Sequence, residues 1–192
     1  MGTKEDLIEA AAELFATRGF EGSTTLEIAR TAGVTEPMIY YHFKGKHDLF
    51  TYILAEAFEE FFSLLKAVDV DASTEFKKIE KLFEAYYEFV ARRPRETSLI
   101  LGCCPPKLKD AEETCRQNFD RLSSWLEKFL TRCLKKGIRA GEFKKVPVPQ
   151  TVNLIVLIIQ TLARQRALDG ETVPGMKEAA VGFCKRSLVK SF

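Results

Sequence analysis

Residues 33–50 read GVTEPMIYYHFKGKHDLF, a span crowded with groups that hydrogen-bond or carry charge: Thr35, Glu36, Tyr40, Tyr41, His42, Lys44 and Lys46. Tyrosine hydroxyls, an imidazole, ammonium groups and helix N-termini are phosphate partners. They do not form a reacting set. No nucleophile is paired with a base, and no glycine-rich phosphate loop occurs. The chain has two histidines, His42 and His47, and no CxxC pair, so metal-ligand spacing is missing. The expectation is a binding protein with no cofactor and no metal, and not an enzyme.

The elements that position this stretch read at a helical period. Leu7, Ile8, Ala11, Leu14 and Phe15 mark a first helix over about 4–18, stopped by Gly19. Thr24 and Glu27 have capping-box spacing and open a second helix that runs to Ala32, before Gly33. Thr35 can cap a short third helix, about 36–43, with Pro37 in its first turn where a missing N–H costs nothing. After Gly45 a long helix begins near Lys46, with Phe50, Leu54, Phe58, Phe61 and Leu65 on its stripe.

Further stripes follow. One spans Phe76 to Val90, and a short helix through SLILG comes next. The longest runs from Leu108 to Cys133. After a VPVP linker come a helix over about 150–168 and a last one over about 176–189. No strand pattern competes. The fold class expected is all-α, about nine helices, with a three-helix head and a larger helical body.

Two short helices joined by TAGVT and backed by a third have helix-turn-helix proportions. In such a pair the second helix enters the DNA major groove. The bland alternative is that Ile39 and Phe43 face a core while Tyr40, Tyr41 and His42 are its exposed flank.

The segment TTLEIARTAGVTEPMIYYHFKGKHDLF resembles the N-terminal domain of TetR-family (tetracycline-repressor-like) transcriptional regulators. The shared features are the Ile-Ala pair of the second helix, the Ala-Gly-Val turn, Tyr-x-His-Phe in the third helix, and a basic residue opening the fourth. The resemblance is specific over about residues 5–50. It implies that Glu36, Pro37, Met38 and Tyr40 face base edges or the thymine methyl. It implies that Thr25, Tyr41, His42 and Lys46 approach phosphates and that Thr24 presents the second helix's N-terminus to the backbone. Lys44 and Lys46 would lie at the groove edge. Leu26 stands where family members can carry a basic, base-reading residue. Glu36 can accept from cytosine N4, yet it repels phosphate.

The same resemblance implies domains at 1–46 (DNA-binding) and 47–192 (effector-binding and dimerisation). It implies a ligand-responsive regulator, most readily a repressor, that binds a palindromic double-stranded operator as a homodimer and is released by a small apolar or aromatic effector. Candidate effector contacts are Phe62, Phe83, Tyr86, Phe119, Leu122, Asn153 and Gln160. Candidate dimer contacts are Leu154, Leu157, Ile158, Met176, Ala179, Ala180 and Phe183. LIVLII is apolar nearly all round, as in a helix covered on several sides, and the small residues of the last helix permit close packing.

Composition narrows the rivals. Hydrophobic residues make up 46% of 192, enough for a sizeable core. No apolar run is long enough to span a membrane. The acidic amphipathic start lacks a signal peptide's basic region, which makes the cytoplasm the expected compartment. Residues 1–50 hold five Lys/Arg against eight Asp/Glu, so whatever this stretch does, a general basic field is not its main signal. Five cysteines suggest no disulfide framework. Cys115, Cys133 and Cys184 fall on apolar helical positions as reduced thiols would. Two other classes remain: a helical small-molecule carrier or interaction protein that never touches DNA, and a redox-sensing regulator using Cys103 and Cys104.

Overall fold

The computed structural model describes residues 3–68, 72–101, 109–169 and 173–190, with the backbone alone at 109–112 and 169. Nine helices occur among these residues: α1 Lys4–Arg18, α2 Thr25–Thr31, α3 Glu36–His42, α4 Lys46–Ala67, α5 Glu75–Arg92, α6 Pro94–Leu101, α7 Lys109–Arg139, α8 Val148–Asp169 and α9 Met176–Leu188. The all-α expectation holds. α8 begins inside the predicted VPVP linker, because Pro149 sits in its first turn, where an N–H has no intrahelical partner. Leu108, Cys103, Cys104 and the breaker at 103–106 lie outside the described residues, as does the side chain of Ala111.

The chain divides into two compact units, 1–59 with 93–118, and 60–92 with 119–192. In the first, Leu7, Ala11 and Phe15 of α1, Ile28 and Ala29 of α2, Ile39 of α3 and Leu49, Phe50, Ile53, Leu54 and Phe58 of α4 form one buried cluster. Each large side chain sealed in this way is worth about 1.5–3 kcal/mol. Phe15, Phe20 and Phe50 meet with ring centroids 5.2–5.5 Å apart. α6 packs on α1, and Arg95 pairs with Glu9 and Glu13 there.

The α2–α3 turn depends on one glycine. Gly33 has φ 69, Val34 N–H donates to the Ala29 carbonyl and Gly33 N–H to that of Arg30. This is a Schellman close, which requires a left-handed residue after the C-cap. It ends α2 cleanly and sets the start of α3.

The second unit joins α5, α8 and α9 with the C-terminal part of α7. Glu142, in the turn after α7, accepts from Glu75 N–H at 3.0 Å and Phe76 N–H at 2.8 Å, capping α5 across 67 residues of sequence. Phe143 lies on Gly137, where a Cβ would come within 2.3 Å of its ring, so α7 needs glycine at that point. Cys133 and Cys184 are buried free thiols. Burial pushes the Cys133 thiol up to about 12, with the Glu75 carboxylate adding to the shift, so it is inert at neutral pH. Cys115 is disulfide-bonded, which departs from the reduced thiol expected.

Candidate nucleic-acid interface and body site

The first unit presents α3 as its most aromatic exposed face. Thr35, Pro37 and Lys44 are exposed, Tyr40 is 58% exposed and Tyr41 is 79% exposed. Ile39, one position away, is fully buried, so the core anchors the helix and leaves the tyrosines outward. His42 is half-buried, its ring 4.8 Å from that of Tyr41 in edge contact. Large apolar rings normally find cover. Two tyrosines left out side by side on a seven-residue helix, each with a hydroxyl at its tip, make a surface suited to a polar partner.

The start of α2 borders the same face. Thr24 accepts from Glu27 N–H at 3.2 Å, and Glu27 accepts from Thr24 N–H at 3.0 Å, which is the reciprocal capping box read from the sequence. The Thr24 hydroxyl also donates to that carboxylate at 2.9 Å. These bonds hold the Glu27 carboxyl below its ordinary range, the hydroxyl contributing most and the backbone N–H next.

Four of the residues expected at DNA also have a place within the protein itself. Thr35 occupies the N-cap position of α3 but makes no side-chain cap bond, and Pro37 in the first turn helps set the start instead. Glu36 points back to α2, where the Thr25 hydroxyl donates to its Oε1 at 2.5 Å. Met38 is half-buried and packs in part against the core of this unit. Lys46 donates to the carbonyls of Phe20 at 2.8 Å and Ser23 at 2.9 Å, with its ammonium 4.1 Å from the Phe20 ring centre. That ammonium pins α4 to the α1–α2 turn, a structural role beside the phosphate contact that the resemblance implies. Leu26, which stands where the resemblance allows a basic residue, is 43% exposed.

The candidate effector residues fall into two groups. Phe62, Phe83, Tyr86 and Leu122 are buried, and Tyr86 meets Phe61 edge-on at 4.7 Å while Phe61 stacks on Phe89 at 4.6 Å. Phe119 is 37% exposed. Asn153 and Gln160 are exposed and line a groove of about 640 Å³ between α7 and α8, with Ser123, Glu127, Thr131 and Lys135 opposite. These two amides therefore do not join the aromatic wall. Their polar character, alternating with Val152 and Val156, was the available sign that they sit on a wet face.

Six of the seven dimer candidates lie around one groove. Leu157, Ile158, Met176, Ala179, Ala180 and Phe183 line one apolar groove of about 480 Å³ between α8 and α9. Leu154 is 60%, Leu157 59% and Phe183 57% exposed. Three large apolar side chains so open on adjoining helices form a patch of the kind that marks an association surface.

Among the described residues no cluster of three His, Cys, Asp or Glu could hold a metal ion, and no helix is long and apolar enough to cross a membrane. Residues 7–61 match the family described as bacterial regulatory proteins, tetR family. The chain is 29% identical over 144 residues to the HTH-type transcriptional repressor KstR2 of Mycolicibacterium smegmatis, covering 73% of this chain and 67% of that one. Its fold is similar to the solved ketosteroid transcriptional regulator KstR2 of Mycobacterium tuberculosis (TM-score 0.72, 18% identity, 97% and 95% of the two chains). It is similar also to the transcriptional regulator FadR of Bacillus subtilis in complex with stearoyl-CoA (TM-score 0.68, 20% identity, 95% and 97%). These proteins are regulators of transcription, not enzymes.

Proposed function

We propose, from the premise that this chain belongs to the TetR family of transcriptional regulators, that it represses transcription by binding a palindromic operator as a cytoplasmic homodimer and lets go when an apolar effector enters its body. The observation that carries this reading is the outward Tyr40 and Tyr41 pair on a core-anchored α3, beside the capped N-terminus of α2. Tyr40 reads a base edge. Tyr41, His42 and Lys44 meet phosphates, with Thr35 and Pro37 at the N-terminal end of α3. Residues 1–46 act as the DNA-binding part and 47–192 as the effector and dimer part.

Dimerisation follows from the size of the head, since one short helix reads few base pairs. Two of them about 34–36 Å apart read successive turns of one DNA face. The α8–α9 patch supplies an apolar surface for the pairing.

The effector reading rests on the aromatic wall of the second unit. A ketosteroid regulator and a stearoyl-CoA complex among the structural relatives support a ligand with a large apolar part for this chain. α4 is the candidate link: Phe61 and Phe62 lie 15 and 16 residues beyond Lys46 on one helix, roughly 23 Å along its axis. Coupling must be reciprocal, so an effector that weakens DNA binding binds less well to the operator complex.

A second reading, release by a cysteine redox change, is favoured by the bonded state of Cys115. Selection of bound fragments from the source genome, with unrelated duplex as competitor, tests the main reading. A two-fold-symmetric site is expected, and Tyr40→Ala should weaken it by about 1–3 kcal/mol. Unselective recovery of fragments would overturn it. Measuring release with apolar ligands and with peroxide, in wild type and in a Cys103→Ser/Cys104→Ser variant, separates the two triggers.

A further inference from the structure

The buried face of α5 runs Phe76, Ile79, Leu82, Phe83, Ala85, Tyr86, Phe89 and Val90. Every member but one is apolar throughout. Tyr86 is 5% exposed, and its hydroxyl has no hydrogen-bond partner. The Phe61 ring stands perpendicular to it, and Phe61 stacks on Phe89. A buried phenol normally finds a partner, and a stranded one costs about as much as a lost hydrogen bond. Phenylalanine would pack the same ring without that cost. The hydroxyl therefore serves something that ring packing does not supply.

The second unpartnered buried oxygen among the described residues is of another kind. Glu75 Oε2 sits at the first turn of α5, and the other oxygen of its carboxylate takes the Lys78 ammonium at 3.1 Å. It belongs to a charged, capped helix end. Tyr86 lies eleven residues further on, among rings.

We propose that the Tyr86 hydroxyl is the donor that fixes the polar group of the effector, and that the effector is a hydrophobic molecule bearing a neutral carbonyl: a ketone, ester or thioester. This rests on the effector reading above and sharpens it. The carbonyl supplies the acceptor that the phenol lacks, and the rings of Phe61, Phe83 and Phe89 receive the apolar remainder. Burial raises the phenol's pKa, so it stays a protonated donor at any physiological pH. A free carboxylate fits less well. The Tyr86 hydroxyl has no charged partner, and the largely buried ammonium of Lys78 in the second unit is already taken by Glu75, so a charge beside the phenol is left unbalanced. A bare hydrocarbon leaves the hydroxyl stranded.

The test uses the full chain and three probes of matched length: methyl laurate, n-tridecane and lauric acid, each displacing a bound solvatochromic dye. Wild type should prefer the ester to the alkane by about 5–10-fold, the worth of one net hydrogen bond, and to the acid at neutral pH. Tyr86→Phe should abolish the ester-over-alkane preference while melting no lower than wild type. Independently of any variant, the infrared carbonyl stretch of the bound ester should shift to lower frequency. Equal binding of ester and alkane by wild type, or a preference that survives in Tyr86→Phe, overturns the proposal and leaves the effector reading standing. If none of the probes binds wild type, the effector reading falls and the proposal with it.

Discussion

The Thr25 hydroxyl donates to Glu36 Oε1 at 2.5 Å, joining the first residue of α2 to the first residue of α3. Two residues that the family resemblance assigns to DNA are thus partners of each other. The bond spans the turn of the helix-turn-helix and sets the angle at which α3 is presented. It also holds a carboxylate beside the face proposed to meet phosphates.

Glu36→Gln keeps an acceptor for Thr25 and removes the charge. Affinity for any duplex should rise by up to about 5-fold at low salt, since like charges near a wet surface repel by about 1 kcal/mol at 4 Å. Discrimination between operator and unrelated DNA should stay as it is, because a gain independent of sequence multiplies both affinities alike. Anisotropy titrations on both duplexes measure this. An unchanged non-specific affinity would remove the carboxylate from the electrostatics of the interface.

Lys46→Ala tests a pin against a phosphate contact. Loss of two charge-assisted bonds to Phe20 and Ser23 should destabilise the chain by about 1.5–3 kcal/mol, read by chemical denaturation. The slope of log affinity against log salt should stay at the wild-type value. A slope shallower by about 0.9, with stability intact, would return Lys46 to the phosphates.

Acid should loosen the start of α2. The Glu27 carboxyl is held below its ordinary 4.5 by the Thr24 hydroxyl and backbone, in the folded state alone. A depressed folded value means this stabilisation is whole above the unfolded pKa and is lost as pH falls through the folded one. Glu27→Gln, which keeps a capping side chain without a titrating group, should therefore show a flatter melting temperature against pH below about 4.5 than wild type. Parallel curves for the two proteins would show that the cap does not titrate.

Leu157→Glu places a carboxylate at the centre of the α8–α9 patch. Burying it unpaired in a dimer costs several kcal/mol unless it takes up a proton, about 2–7 for a polar group and more for a charge. Sedimentation at micromolar concentration should show wild type as dimer and the variant as monomer. Because Leu157 is 59% exposed in the single chain, the variant should still fold. A variant that sediments like wild type would put the dimer surface elsewhere.

What the sequence determined by itself is local. Apolar residues at 3.6 spacing placed α1, α4 and α5 within a residue or two, because one buried stripe is a property of a single helix. Thr24 with Glu27, and Gly33 after Ala32, marked the ends of α2, because caps are made by neighbours in the chain. Tyr40 and Tyr41 were legible as an exposed pair because Ile39 and Phe43 claim the core face beside them.

Tertiary structure decided the rest, where the partner lies far along the chain. Lys46 reads as a free cation until Phe20 and Ser23, 26 and 23 residues earlier, offer their carbonyls. Glu36 reads as a groove-facing acid until Thr25 takes it. Tyr86 reads as one more aromatic on a stripe, and only the packing around it shows that its ring is sealed in and its hydroxyl is unmatched. Whether a side chain's charge or hydroxyl is free depends on what the fold brings against it, and periodicity along one helix carries no record of that.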